Sequence, residues 1–526
     1  MITLGLGLIS AALGAGRWLR VAQREHYIAQ WVTRIAFLWL KVRPLNVLLA
    51  ALSFALVLVA IVGWLSSEWL SSEWRSPEWL SLEWAAPVAV LLLAFFPVGL
   101  GVRGRTAPLA WTARMKRLLV FWIVIVLAVG GILSLVLGPA GIPLTVLIAP
   151  ALTDLGLAIL APLEKRLSRR FLVSARKRLG QVRPTIVAIT GSYGKTSTKG
   201  YLAHVLSGSF SVVASPASFN NLMGLSRAVN ERVVAGTEVF IAEMGMYARG
   251  EIRELSASFP PDIAAITTIG EAHLARMGSR EAIFEAKSEI TERAGTVVLP
   301  VDETELAALA ERCRAGGKRV VTVSTLPGTT ADVMLDEAAG RITVLQNGTA
   351  TSAPVAISGT GHAVNVAVTV GIALALKVDL AVIAERLTTL PVSRHRAEIQ
   401  YAASGVVIID DTYNSNPVGA ERALREAAKL AVERGGSLVV VTPGMVELGP
   451  VQKARNEVFA ASVAAVGGHL FAIARTNRAA LIAGGSGGQH PVRSFDQRSD
   501  AVPAALDQAG ERGVILYEND LPDHYP

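Results

Sequence analysis

Val187-Ala-Ile-Thr-Gly191-Ser-Tyr-Gly194-Lys195-Thr196-Ser-Thr-Lys199 decides how most of this chain folds. An apolar, β-branched run enters a turn bracketed by two glycines, and Lys-Thr then opens a helix. Backbone N–H groups of such a turn point inward and the helix N-terminus adds positive potential, which suits nucleotide phosphate. On this reading Gly191, Ser192, Gly194, Lys195, Thr196 and Ser197 form the phosphate site. Lys195 reaches the β/γ-phosphates and the Thr196 hydroxyl ligates Mg²⁺. Ile189 stands where the full Walker spacing needs glycine, so the loop is a shortened variant that begins at Gly191. The plainer alternative is a strand–turn–helix with a solvated lysine.

Working outward, the 526 residues are 52% hydrophobic, and the excess lies in the first third. Asn46–Leu65, Ala85–Val102, Leu118–Leu137 and Gly141–Pro162 are nearly free of charge, and each suits a membrane helix of roughly 20 residues. Ile2–Gly16 reads as a first span rather than a signal peptide, since no basic segment precedes it. Connections 17–44, 103–117 and the residues after 163 are basic, whereas 66–84 carries Glu68, Glu73, Glu78 and Glu83. The positive-inside rule then gives about five spans over residues 1–163, with everything after them cytoplasmic in a bacterial plasma membrane. A basic linker, 164–180, follows. Residues 26–44 read as an amphipathic helix on the inner leaflet. Four Ser-x-Glu-Trp repeats place Trp69, Trp74, Trp79 and Trp84 at five-residue steps, suited to the outer interface. The net charge of +8 is largely accounted for beside the spans, and no basic patch carries stacked aromatics, so nucleic acid is not an expected partner. The lone Cys313 excludes an intramolecular disulfide.

From about residue 181 apolar strands alternate with Ala/Leu/Arg-rich helices. Ile186–Thr190, Val239–Glu243, Ile263–Thr267 and Thr296–Leu299 make one series. Val406–Asp410, Ser437–Thr442, His469–Ile473 and Gly513–Tyr517 make another. Two doubly wound α/β domains are expected, 181–392 and 393–526, with ligand sites at the carboxyl ends of the strands. Residues 325–360 read as a small β insertion, and Pro391–Arg396 as the hinge.

Acids and amides collect where strands run out. Glu243 ends a strand that can present a carboxylate to Mg²⁺; His273 follows the next strand; Lys287 lies on a helix start; Asp410-Asp411 precede Tyr413-Asn-Ser-Asn416-Pro. Each alone has an ordinary structural alternative. In order, however, Gly191–Lys199, Ser-Phe-Asn220-Asn221-Leu-Met-Gly, Glu243-Met-Gly-Met-Tyr-Ala-Arg-Gly-Glu-Ile, Ile269-Gly-Glu-Ala-His273-Leu, Ala286-Lys287-Ser-Glu-Ile and Asp410–Pro417 resemble the Mur ligases over about residues 181 to 455. The nearest member joins D-alanyl-D-alanine to UDP-N-acetylmuramoyl-tripeptide.

The resemblance implies a P-loop central domain, a Rossmann-like C-terminal domain and an ATP-dependent amide ligase of peptidoglycan synthesis. Such an enzyme activates a carboxylate as an acyl phosphate for attack by an amino-acid or dipeptide amine. It implies that Lys195 and Thr196 hold phosphate and a first Mg²⁺ with Glu243. It further implies that His273 binds a second Mg²⁺, and that Lys287 is the lysine the family carbamylates. Asn220 and Asn221 would line the substrate side, Asn416 would shape its loop, and Arg396 and Asp411 would approach the nucleotide. Asn365 would contact adenine. Membrane spans stand where the family carries its UDP-sugar domain, so the acceptor is a lipid-linked or UDP-linked muramoyl peptide. Leu516-Tyr-Glu-Asn519 stands where a Lys-Gly-Ser-like stretch is expected. A poly-γ-glutamate-type synthase and a non-catalytic ATP-binding membrane scaffold are the alternatives.

Overall fold

The computed structural model describes residues 2–69, 84–103, 109–216, 219–346, 348–355, 363–391, 398–413 and 415–526. Most of the tryptophan repeat, Arg396 and most of the expected hinge lie outside these. The chain forms two compact units. One comprises Met1–Leu167 with Ala474–Thr476 and Leu521–Pro526; the other comprises Ser168–Ile473 and Asn477–Asp520.

The first unit is helical: α1 (Ile2–Arg24), α2 (Trp31–Val42), α3 (Pro44–Trp69), α4 (Ala85–Ala94), α5 (Ala113–Leu137), α6 (Gly141–Leu147) and α7 (Ala149–Val182) as far as Leu167, the rest of α7 being counted with the second unit. Among the described residues, three stretches are long and apolar enough to cross a membrane: Ile2–Arg24, Pro44–Ser66 and Ala113–Leu147. This corrects the count of about five. The 85–102 segment yields a ten-residue helix, because proline at 97 and a left-handed Gly99 turn the chain. The 141–162 segment breaks at Ile148 into α6 and the start of α7. Those two pieces still run back along α5. The Trp122 indole donates to the Thr153 hydroxyl at 3.0 Å, and Arg117 makes two 2.6 Å bonds to Glu164.

α3 and α5 are apolar on every side and leave Leu48, Phe54, Val62, Val120, Leu127 and Leu135 exposed. α2 does not simply lie on a surface: Val32, Ile35 and Trp39 are buried within the unit. Its first turn is capped from another helix. Asp154 of α7 accepts from the backbone N–H of Val32 at 3.3 Å and of Thr33 at 2.8 Å. The acid that interrupts the apolar run is therefore a helix cap, which meets the demand of orphan N–H groups.

The second unit holds two sheets. The larger contains β1 (Thr185–Thr190), β2 (Val212–Ala214), β3 (Val239–Glu243), β4 (Ile263–Ile266), β5 (Thr296–Pro300), β6 (Arg319–Ser324), β7 (Val333–Asp336), β8 (Arg341–Gln346) and β9 (Thr349–Pro354). Their order is β2-β3-β1-β4-β5-β6-β7-β8-β9, parallel through β7 and antiparallel beyond. The expected insertion is thus three strands added to the main sheet, covering the edge that β6 would otherwise expose. The smaller sheet contains β10 (Glu398–Tyr401), β11 (Val407–Asp411), β12 (Leu438–Thr442), β13 (His469–Ile473), β14 (Arg493–Phe495) and β15 (Val514–Glu518) in the order β10-β11-β15-β12-β13-β14. Only β10 is antiparallel. Near-continuous apolar strands fit sheets covered on both faces. Ala188, Phe240 and Ala264 pack to one side of the larger sheet, and Val187, Ile241 and Ile263 to the other. β1 lies where the strand order reverses, so its carboxyl end opens on a crevice.

Candidate active site

That crevice holds the glycine-bracketed loop, between β1 and α8 (Lys195–Leu206). Gly191 has φ +152° and Gly194 φ +83°. A Cβ at 191 would lie 1.9 Å from Thr267 Oγ1, and one at 194 would lie 2.1 Å from Asn365 Oδ1. Only glycine fits either position. Ser192 stitches the loop to the segment after β4: its N–H donates to the Thr268 carbonyl at 2.8 Å, and its Oγ accepts from the Gly270 N–H at 2.8 Å. Its side chain is thereby committed to the scaffold. Ser197 is buried one turn into α8. Asn365 is buried beneath Gly194, so it shapes the phosphate loop.

Three side chains converge on Glu243 at the end of β3, which register places beside Ile189 of β1, and a fourth lies on the loop itself. The Thr196 hydroxyl donates to Glu243 Oε2 at 3.0 Å, and Lys199 Nζ donates to the same oxygen at 2.8 Å. Asn220 Nδ2 reaches Oε1 at 3.4 Å. The fourth is Lys195, one turn before Lys199, whose Nζ donates to the Gly191 carbonyl at 2.6 Å. Lys287 Nζ donates to that same carbonyl at 3.0 Å and is fully buried. Burial, with Lys195 adding to it, holds the Lys287 amine well below its usual value. Three lysines gathered on one carboxylate and one carbonyl form a site short of negative charge.

His273 has a carboxylate partner of its own. Its Nδ1 donates to Glu447 Oε2 at 2.8 Å, and Arg276 Nη2 meets the other oxygen at 3.3 Å. Burial, with the charges of Lys287 and Lys195, holds the imidazole below its usual value against the pull of Glu447. Burial alone would raise the Glu447 carboxyl, but His273 and Arg276 outweigh it and bring it down to about 2. A second tie between the sheets of this unit joins Arg455 Nε to Glu271 at 2.9 Å. Near it a cavity of about 430 Å³ is lined by Tyr193, Arg280, Pro417, Arg425 and Phe459.

The remaining expected residues separate. Asn221 caps α9 (Leu222–Arg232) through Gly224 N–H at 2.9 Å, and Asn416 caps the helix Pro417–Arg434 through Gly419 N–H at 2.9 Å. Asp411 lies on the smaller sheet, in register with Glu518 of β15. Glu518 is fully buried; it accepts from the Ser415 hydroxyl and, at 2.6 Å, from Thr442. Neither Lys199 nor Glu518 had a role in the sequence reading. Lys199 carried a signal, four residues from Lys195 on the same helical face. Glu518 did not, since its neighbours come from distant strands.

No cluster of three His, Cys, Asp or Glu side chains able to hold a metal lies among the described residues. The residues nevertheless fit a nucleotide with Mg²⁺. That ion is commonly held by one or two carboxylates plus the substrate's phosphates, and Glu243 with Thr196 supplies one such corner.

Strand order, glycine-bound loop and lysine cluster define a P-loop-type nucleotide-binding α/β protein joined to a second doubly wound domain. Sequence models agree: the Mur ligase middle domain matches residues 189–373, and the Mur ligase glutamate ligase domain matches 395–517. The chain belongs to the Mur ligase family. It is 36% identical over 281 residues to UDP-N-acetylmuramoyl-tripeptide–D-alanyl-D-alanine ligase of Mycobacterium bovis, covering 52% of this chain and 54% of that protein. Against the Synechocystis protein of the same name it is 31% identical over 342 residues, covering 64% and 72%. A crystal structure of MurF ligase from Thermotoga maritima in complex with ADP shares the fold at TM-score 0.57 and 22% identity, over 67% of this chain and 80% of that one. The chain thus spans about half the length of the Mycobacterium relative.

Proposed function

We propose that the protein is an ATP-dependent amide ligase of peptidoglycan synthesis, held in the bacterial plasma membrane by its helical unit. It activates a muramoyl-peptide carboxylate for attack by an amine such as that of D-alanyl-D-alanine. The observation that carries the reading is the set of Lys195 and Lys287 on the Gly191 carbonyl and Lys199 on Glu243, at a loop only glycine can form. Family membership and the name of the relatives support the reaction. The exposed apolar faces of α3 and α5 support the membrane.

When bound, ATP would supply the phosphoryl group and Mg²⁺ would offset its negative charge. The chain's own groups do the positioning. Lys195 and the loop N–H groups would hold phosphate oxygens, while Thr196 and Glu243 would hold the ion. Lys199 keeps Glu243 oriented. Burial disfavours the charged form of the Lys287 amine, which suits addition to CO₂. The new N–C bond makes a carbamate, and one proton leaves to solvent. His273, aimed by Glu447, would accept or orient a group arriving from the C-terminal side.

The test measures ADP release by detergent-solubilised protein. It pairs UDP-linked or lipid-linked muramoyl peptides with a panel of D- and L-amino acids and dipeptides, beside Lys195→Ala. Release that requires one acceptor and one amine, absent in the variant, is expected. Amine-independent release would refute ligation and favour a scaffold. Repeated addition of glutamate would instead favour a polymerising synthase.

A further inference from the structure

Leu521-Pro-Asp-His-Tyr-Pro526 follows the last strand of the smaller sheet, yet these residues belong to the helical unit. Asp523 pairs with Arg20 at 3.6 Å, their side chains 3% and 2% exposed. His524 Nε2 donates to Glu25 Oε1 at 2.7 Å, both side chains 2% exposed. The Trp39 indole N–H donates to the His524 carbonyl at 2.9 Å, and Tyr525 packs on the aromatic core around Trp18 and Trp39. Pro526 is held in turn. Its carbonyl accepts from the backbone N–H groups of Arg475 and Thr476 and, at 2.6 Å, from the Thr476 hydroxyl.

This is a matched receptor rather than casual packing. Arg20 near the end of α1 and Glu25 just after it offer a cation and an anion five residues apart, and the segment answers with an anion and a histidine side by side. Burying ionisable groups is costly unless each finds its partner. Arg20 Nη2 also donates to the Gly101 carbonyl at 2.7 Å, and Asp523 adds the negative charge that a carbonyl lacks.

The segment is also short of slack. Asn519, two residues before it, adopts φ +63° and donates from Nδ2 to the Gly444 carbonyl at 2.6 Å. The turn that begins there carries Glu447, which holds His273. We infer that residues 521–526 are a strap: the Arg20–Glu25–Trp39 patch grips them, and through Asn519 that grip stabilises the Gly444–Glu447 turn. The inference stands independently of the ligation reaction.

Two experiments on the full chain in detergent test it. The double variant Glu25→Cys/His524→Cys should form a disulfide on mild oxidation, and failure to cross-link would overturn the docking. Hydrogen exchange then tests the coupling. Arg20→Asp and Asp523→Arg should each speed exchange at 521–526 and at 444–447 by at least about tenfold, and the two together should restore protection. His524→Gln, which keeps a donor, guards against unfolding and should have a smaller effect at both segments. Release of 521–526 with unchanged exchange at 444–447 would overturn the coupling.

Discussion

Glu518 shows how much one buried carboxyl can set. It ends β15 with no exposed surface, facing Asp411 and bonded by Ser415 and Thr442. Burial drives the carboxyl up to about 7, the two hydroxyls pull against this, and Asp411 adds to it. Between the ordinary carboxyl value and about 7, the folded chain keeps a proton that the unfolded chain has lost. Stability from this group is therefore complete at low pH and falls as pH rises through about 7, by roughly 3 kcal/mol in all. Glu518→Gln should flatten that slope. Thermal midpoints from pH 5 to 8 should fall less than the parent's, with the variant the more stable at pH 8. Parallel slopes would mean the carboxyl ionises normally.

At the scale of elements, the phosphate loop is the most constrained piece of the chain. Gly194 combines a left-handed backbone with a wall, Asn365, that is itself buried and cannot retreat. Gly250, at φ +86°, has open space where a Cβ would go. Gly194→Ala should cost about 1–3 kcal/mol through strain and clash and weaken ADP binding in calorimetry. Gly250→Ala should cost only the backbone term, about 1–2 kcal/mol, and leave affinity intact. If Gly194→Ala binds ADP as the parent does, the loop does not hold phosphate. Adding Asn365→Ala should return part of the lost stability, because it removes the wall and not the strain.

For the whole molecule the open matter is sidedness. Glutamates crowd the 66–84 connection, while arginines and lysines follow the last apolar stretch. That asymmetry predicts opposite faces. The lone cysteine, Cys313, is buried, so labelling background is low. In intact cells Trp84→Cys should react with a membrane-impermeant maleimide, and Arg166→Cys should react only after lysis. Labelling of both without lysis would overturn the topology. Labelling of neither, with both reactive after lysis, would mean that the helices do not span.

The sequence by itself determined the two strand series and the glycine-bracketed loop with Lys195 and Thr196 at its helix start, because each depends on local order: a strand, a turn and a helix read in succession. It overstated the spans, since a window of apolar residues does not register a proline turn at 97 or a break at Ile148. Tertiary structure alone decided the rest. Lys199 meets Glu243 because β3 lies beside β1; Glu518 faces Asp411 because β15 inserts next to β11; Asp154 caps a helix more than a hundred residues earlier. Arg20 and Glu25 are satisfied by residues some five hundred positions away. Charges that balance only after folding leave no periodic trace in the chain, so no reading of neighbouring residues could have paired them.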